Sequence, residues 1–133
     1  MNPWDRSRTA GASSAGEAAA VATGMSPLGL GNDGLGSLGH PAQCCGVSAP
    51  KPTLGRIPDA TTTAGPEVGA IGAQLVAVNG PLARRVADLR AALEVLAGST
   101  WRDPWSVPAP LRGPDPRKPV RVAVVIDPTA RAR

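Results

Sequence analysis

The chain has 133 residues, 42% of them apolar, and a formal charge of +4 from 14 Lys and Arg against 10 Asp and Glu. With three Trp, no Phe and no Tyr, each buried side chain contributes little area, so the composition points to part of a larger fold rather than a self-sufficient domain. The basic residues are scattered, apart from Arg84–Arg85 and groups near the end, and lack interleaved aromatics, which argues against a nucleic acid partner. No run approaches the roughly 20 apolar residues of a membrane span, and no signal peptide is expected. Cys44 and Cys45 are the only cysteines. Neighbouring cysteines rarely bridge each other, so a reduced, cytoplasmic setting is expected.

In chain order, Met1 to Ala12 reads as an irregular lead-in. Ser14 to Met25 is rich in helix formers; Ser13 or Ser14 is placed to cap it, Glu17 to complete a capping box and Pro27 to stop it. Leu28 to Leu30 suits a buried strand ahead of a turn at Asn32–Gly36. Ser37 to Cys45 suits a short helix with Pro41 near its first turn. From Pro50 the chain is loop, and Ile71 to Val78 fits a strand or a turn. A helix is predicted over 81–98, starting at Pro81 and ending at Gly98, with Leu82, Val86, Leu89, Leu93 and Leu96 forming one apolar stripe. A Pro-rich connection over 99–119 leads to a strongly apolar strand over 120–127.

The chemistry concentrates in the run GASSAGEAAAVATGMSPLGLGNDGLGSLGHP, Gly11 to Pro41. It sets Ser13 and Ser14 among small residues and Ser37 on a second glycine-rich turn 24 positions after Ser13. Small neighbours let backbone N–H groups approach a substrate closely, as an oxyanion hole requires. His40, the only histidine, follows Ser37 by three residues, but no third group is at hand to orient it and Leu35-Gly36-Ser37-Leu38-Gly39 narrowly misses the G-x-S-x-G elbow. Gly29-x-Gly31-x-x-Gly34 formally fits a dinucleotide fingerprint, without a convincing strand before it or an acid after it. His40, Cys44 and Cys45 fall one ligand short of a structural zinc site. Neither a cofactor nor a metal is expected.

The same run closely resembles the signature segment of the amidase signature family, serine hydrolases that cleave amide C–N bonds. The resemblance continues through CCGVSAPKPTLGRIP, GPLARRVADLRAALEVLAG, DPWSVPAP and VRVAVVIDP in family order, so residues 1–133 are expected to form one partial domain of that family. It implies an α/β fold, a mixed β-sheet surrounded by helices, incomplete in this chain. It also implies a Ser–Ser–Lys triad in which Ser37 is the nucleophile and Ser13 the bridging serine held by a cis peptide bond. The backbone N–H groups of Gly34, Leu35, Gly36 and Ser37 fall on the oxyanion hole. Cys44 and Cys45 become small buried residues under the active-site turn.

The family's basic lysine lies well upstream of the signature run. Lys51 matches a different, structural lysine, and Lys118 sits in the Pro-rich connection, so the proton acceptor is expected to be missing here. The chain departs from the family pattern at Ala15 (usually Gly or Ser), at Leu35 (usually Gly or Ala) and at Gly39 (usually Arg). Leu35 is expected to crowd or restrict the oxyanion hole, and Gly39 to lack a charged anchor. The reading is therefore an amidase-family segment whose partner is a small-molecule amide, with little activity alone. The alternatives are a non-catalytic remnant and a fragment of the amidase-like component of a glutamine-dependent tRNA amidotransferase.

Overall fold

The computed structural model describes residues 1–59 and 71–113. Six elements follow one another: α1 (Ala15–Ala22), β1 (Leu28–Asp33), α2 (Gly39–Cys45), α3 (Ile71–Val76), β2 (Val78–Ala83) and α4 (Val86–Leu96). The strand expected over 120–127 and the end of the Pro-rich connection lie outside the described residues.

Strands β1 and β2 pair antiparallel, from Leu28 opposite Ala83 to Asp33 opposite Val78. Ala83 also exchanges two backbone hydrogen bonds with Ser48, at 2.8 and 2.9 Å. Both polar groups of a strand residue point to one side, so Ser48 lies along the edge of β2 away from β1. The alternation in Leu-Gly-Leu-Gly turns Gly29 and Gly31 to the same face, against α1. A β-carbon on Gly29 would come within 3.3 Å of Val21, and one on Gly31 within 2.9 Å of Ser14 Cβ. Helix α1 thus lies directly on the strand backbone. Gly31 and Gly80 are register partners, and Leu38, fully buried, seats its two terminal methyls over them. Leu38 joins Ala10, Ala18, Cys45 and Leu82 in the core.

Four expectations are corrected here. Helix α1 forms from its alanine-rich run, but Ser14 makes no side-chain cap; its hydroxyl turns to Asn32 O at 3.5 Å. The helix ends at Ala22, closed by Thr23 and the left-handed Gly24 (φ 78°) before Pro27 is reached, and Arg84 donates to the carbonyls of Val21 and Ser26. Ile71–Val76 is helical, because β1 is only long enough to pair with Val78–Ala83 and offers these residues no strand partner. The helix predicted from Pro81 begins at Val86 instead: pairing with β1 takes Pro81, Leu82 and Ala83 into β2. Its apolar stripe divides accordingly. Leu82 is buried in the strand, Leu89 and Ala92 are buried on α4, and Val86 is 66% exposed.

The lead-in is irregular, without helix or strand, and it is tied down. Asn2 is buried and donates through Nδ2 to Thr9 O (3.1 Å) and Cys44 O (2.7 Å), while Trp4 Nε1 donates to Cys45 O (2.7 Å). The carbonyls of Cys44 and Cys45 end α2 and lack partners within the helix. Among the described residues no helix is long and apolar enough to cross a membrane.

The strand assignment of Leu82 is testable by truncation. Leu82→Ala is expected to lower the unfolding free energy by about 2–5 kcal/mol, and Val86→Ala by no more than about 0.5 kcal/mol, in urea titrations followed by circular dichroism.

Candidate active site

Ser13 and Ser37 reach the same region from two turns. The first turn leaves Ala10, which is buried, through Gly11 (φ 91°), where a β-carbon would lie 2.7 Å from Pro41 Cα; only glycine fits. The Ala12–Ser13 peptide bond is cis. Ser14 N–H then donates to Ser37 O at 3.3 Å, joining the serine pair directly to the second turn. Ser13 is exposed and Ser37 half-buried.

The second turn is organised by Asp33, a residue without a motif to mark it in the sequence. Its carboxylate is 1% exposed. Oδ1 accepts from Gly36 N–H (2.7 Å) and Oδ2 from Leu38 N–H (2.8 Å) and Gly39 N–H (3.4 Å). Lys51 Nζ completes the set at 3.0 Å from Oδ1 and also donates to Gly34 O at 3.1 Å. Burial alone would push the Asp33 carboxyl up; the Leu38 and Gly36 N–H groups, the Lys51 ammonium and the Gly39 N–H outweigh it and hold the group at about 2. An aspartate three residues before a glycine N–H has the spacing of a helix-capping carboxylate.

Of the four N–H groups expected to serve an oxyanion, that of Gly36 is engaged by Asp33, while those of Gly34, Leu35 and Ser37 have no acceptor among the described residues. Leu35 is 96% exposed, its side chain directed into solvent. Around Gly39 the space is open: a β-carbon there would meet nothing within 4 Å. His40 donates its backbone N–H to Gly36 O (2.8 Å) and its exposed side chain lines a shallow groove with Asn2, Arg8 and Gln43; no hydrogen bond joins it to Ser37. Cys45 is buried, its Sγ 3.6 Å from Ala10 O, and burial, with Cys44 beside it, pushes its thiol up. Gly29 and Gly31 of the formal dinucleotide match lie within β1, not in a strand-to-helix turn. Among the described residues no three His, Cys, Asp or Glu side chains are grouped to hold a metal.

Two serine turns close onto each other beside a glycine-faced strand in a small α/β arrangement. The Amidase family profile matches residues 1–131. The chain is 47% identical to an indoleacetamide hydrolase of Bradyrhizobium japonicum, over 99% of this chain and 30% of that protein. It is 41% identical to the A-subunit of a glutamyl-tRNA(Gln) amidotransferase of Deinococcus radiodurans, over 94% of this chain and 25% of that one. Among solved structures, 6-aminohexanoate cyclic dimer hydrolase in complex with its substrate superposes with a TM-score of 0.72 at 40% identity, covering 84% of this chain and 22% of that enzyme. The chain belongs to the amidase signature family and spans less than a third of the length of these relatives.

The buried carboxylate sets an acid limit. Because Asp33 is held below its ordinary value of 3.8, its contribution is complete above that value and is lost as the pH falls toward about 2. The loss amounts to about 2 kcal/mol. Urea midpoints measured from pH 5 to 2 are expected to fall across that window, and Asp33→Asn is expected to be less stable at pH 5 with a flatter profile.

Proposed function

We propose that this chain supplies the nucleophile-bearing part of an amide hydrolase. Ser37 Oγ attacks the amide carbonyl carbon while its proton passes through Ser13 to a base. The developing oxyanion is received by free N–H groups of the Gly34–Ser37 turn, chiefly those of Leu35 and Ser37. The C–N bond then breaks, the amine leaves with a proton, and water releases the acid from Ser37. The observation that carries this reading is the Ser14 N–H to Ser37 O hydrogen bond, which brings the two serine turns together. The relatives' names support the substrate class, a small carboxylic amide, and the 41% identity to an amidotransferase component favours a glutamine-dependent transfer role as the second reading. The free thiols of Cys44 and Cys45 support a reducing, cytoplasmic setting.

The chain by itself turns over little in this reading. Lys51, the one lysine among the described residues, is committed to Asp33 and Gly34 O, so it is not the proton acceptor. A non-catalytic remnant would behave the same way alone, and a chimera separates the two. The purified chain is expected to release no measurable ammonia from simple aliphatic and aryl amides. Robust turnover removed by Ser37→Ala would overturn the inactivity. Exchanged for the matching segment of the indoleacetamide hydrolase relative, the chain is expected to sustain ammonia release, falling about a thousandfold or more with Ser37→Ala. A folded chimera without turnover would favour the remnant.

A further inference from the structure

Lys51 lies 14 positions beyond Ser37 in the sequence, yet its ammonium bonds both ends of the Asp33–Gly34 pair that opens the serine turn. The bond to Asp33 is the less informative one. Three backbone N–H groups already satisfy that carboxylate, and the Lys51 side chain is 45% exposed, so solvent weakens the ion pair. The bond to Gly34 O does something no other side chain on the turn does. Carbonyl and N–H of one trans peptide unit point in opposite directions. The Gly34–Leu35 peptide is trans, so drawing Gly34 O toward Lys51 sends Leu35 N–H the other way. The next peptide is fixed independently, because Gly36 N–H is turned inward onto Asp33 Oδ1. The Leu35 peptide plane is therefore free to rotate on one side only, and Lys51 closes that freedom.

We propose that Lys51 is a positioning residue: by holding Gly34 O and Asp33 Oδ1 at once, it fixes the outward direction of the Leu35 N–H and keeps that donor rigid ahead of Ser37. The proposal rests on the reading of Leu35 N–H as an oxyanion donor for its purpose, but its geometry is independent of turnover. A lysine suits the task better than an arginine in one respect, since a compact ammonium with rotatable donors bonds a carbonyl and a carboxylate lying at unrelated angles. Arginine retains enough donors to keep both bonds, whereas methionine keeps the stem and loses them.

The test is backbone relaxation by nuclear magnetic resonance on the 15N-labelled chain, read at Leu35 and compared with α1 and α2. In the native chain Leu35 N–H is expected to be as ordered as the helices, with an order parameter near about 0.85. Lys51→Met is expected to drop Leu35 below about 0.6, leaving the Gly36 amide, α1 and α2 unchanged, while Lys51→Arg keeps Leu35 ordered. A merely structural lysine would instead loosen α1, α2 and Leu35 together. Unchanged order at Leu35 in a folded Lys51→Met chain overturns the proposal. Where Lys51→Met fails to fold, Lys51→Arg decides: a rigid Leu35 supports it, and a mobile Leu35 on intact helices, or loss of the fold again, overturns it. None of these outcomes depends on ammonia release, so the amidase reading fails or stands separately in the chimera.

Discussion

One buried carboxylate organises the turn on which Ser37 sits. Asp33 ends a strand and, through its two oxygens, gathers the N–H groups of the residues that turn the chain into the next helix. A carboxylate taken out of water is costly unless each oxygen is met by donors, and charge-assisted bonds are the strong kind. That requirement works in both directions. Satisfying Asp33 forces the turn into one shape, and the shape places Leu38 over the paired glycines Gly31 and Gly80 while leaving the Ser37 carbonyl facing Ser14.

The absence of Phe and Tyr, which argued for a weak core, takes on a different sense beside the glycine face of β1. Close approach, not bulk, is what holds α1 to the strand. With no side chain at Gly29 or Gly31, the helix sits near enough for Ser14 to reach Asn32 O, and the serine pair at its start comes within a hydrogen bond of the second turn. Larger residues at those positions would enlarge the apolar core and separate the serines. Packing and chemistry therefore compete for the same few ångströms, and the sequence resolves the competition with glycine.

Local pattern carried much of this far, and its failures have one source. The alanine run of α1, the short helix after Ser37 and the start of a strand at Leu28 were legible because propensity and punctuation agreed there. That strand, however, runs on through Asn32 to Asp33 and buries Gly29, leaving Leu30 exposed. Pro81 was misleading because a proline suits the first turn of a helix and also tolerates a strand, and only the six-residue length of β1 decides between them. Ser14 looked like a cap because nothing in its neighbourhood announces that Asn32 O, 18 residues away, lies beside it. The two serines were found through the pattern of their neighbours. Asp33 and its bond to Lys51 were not, since a lone acid and a lone lysine 18 residues apart give no periodic signal; only folding puts them 3.0 Å apart. Leu35, which looked obstructive, stands clear in solvent because its backbone belongs to a turn whose outer side is open.

The two side chains near the start of the chain have a mechanical consequence. Asn2 and Trp4 grip the last carbonyls of the helix whose first turn follows Ser37, so that helix is clamped at its far end by the terminus and at its near end by Asp33. A rod held at both ends transmits torque. Displacing the first four residues, by fusing a bulky domain against them or by trimming them, would twist the helix and tilt the Ser37 peptide plane, although Met1 itself is 82% exposed.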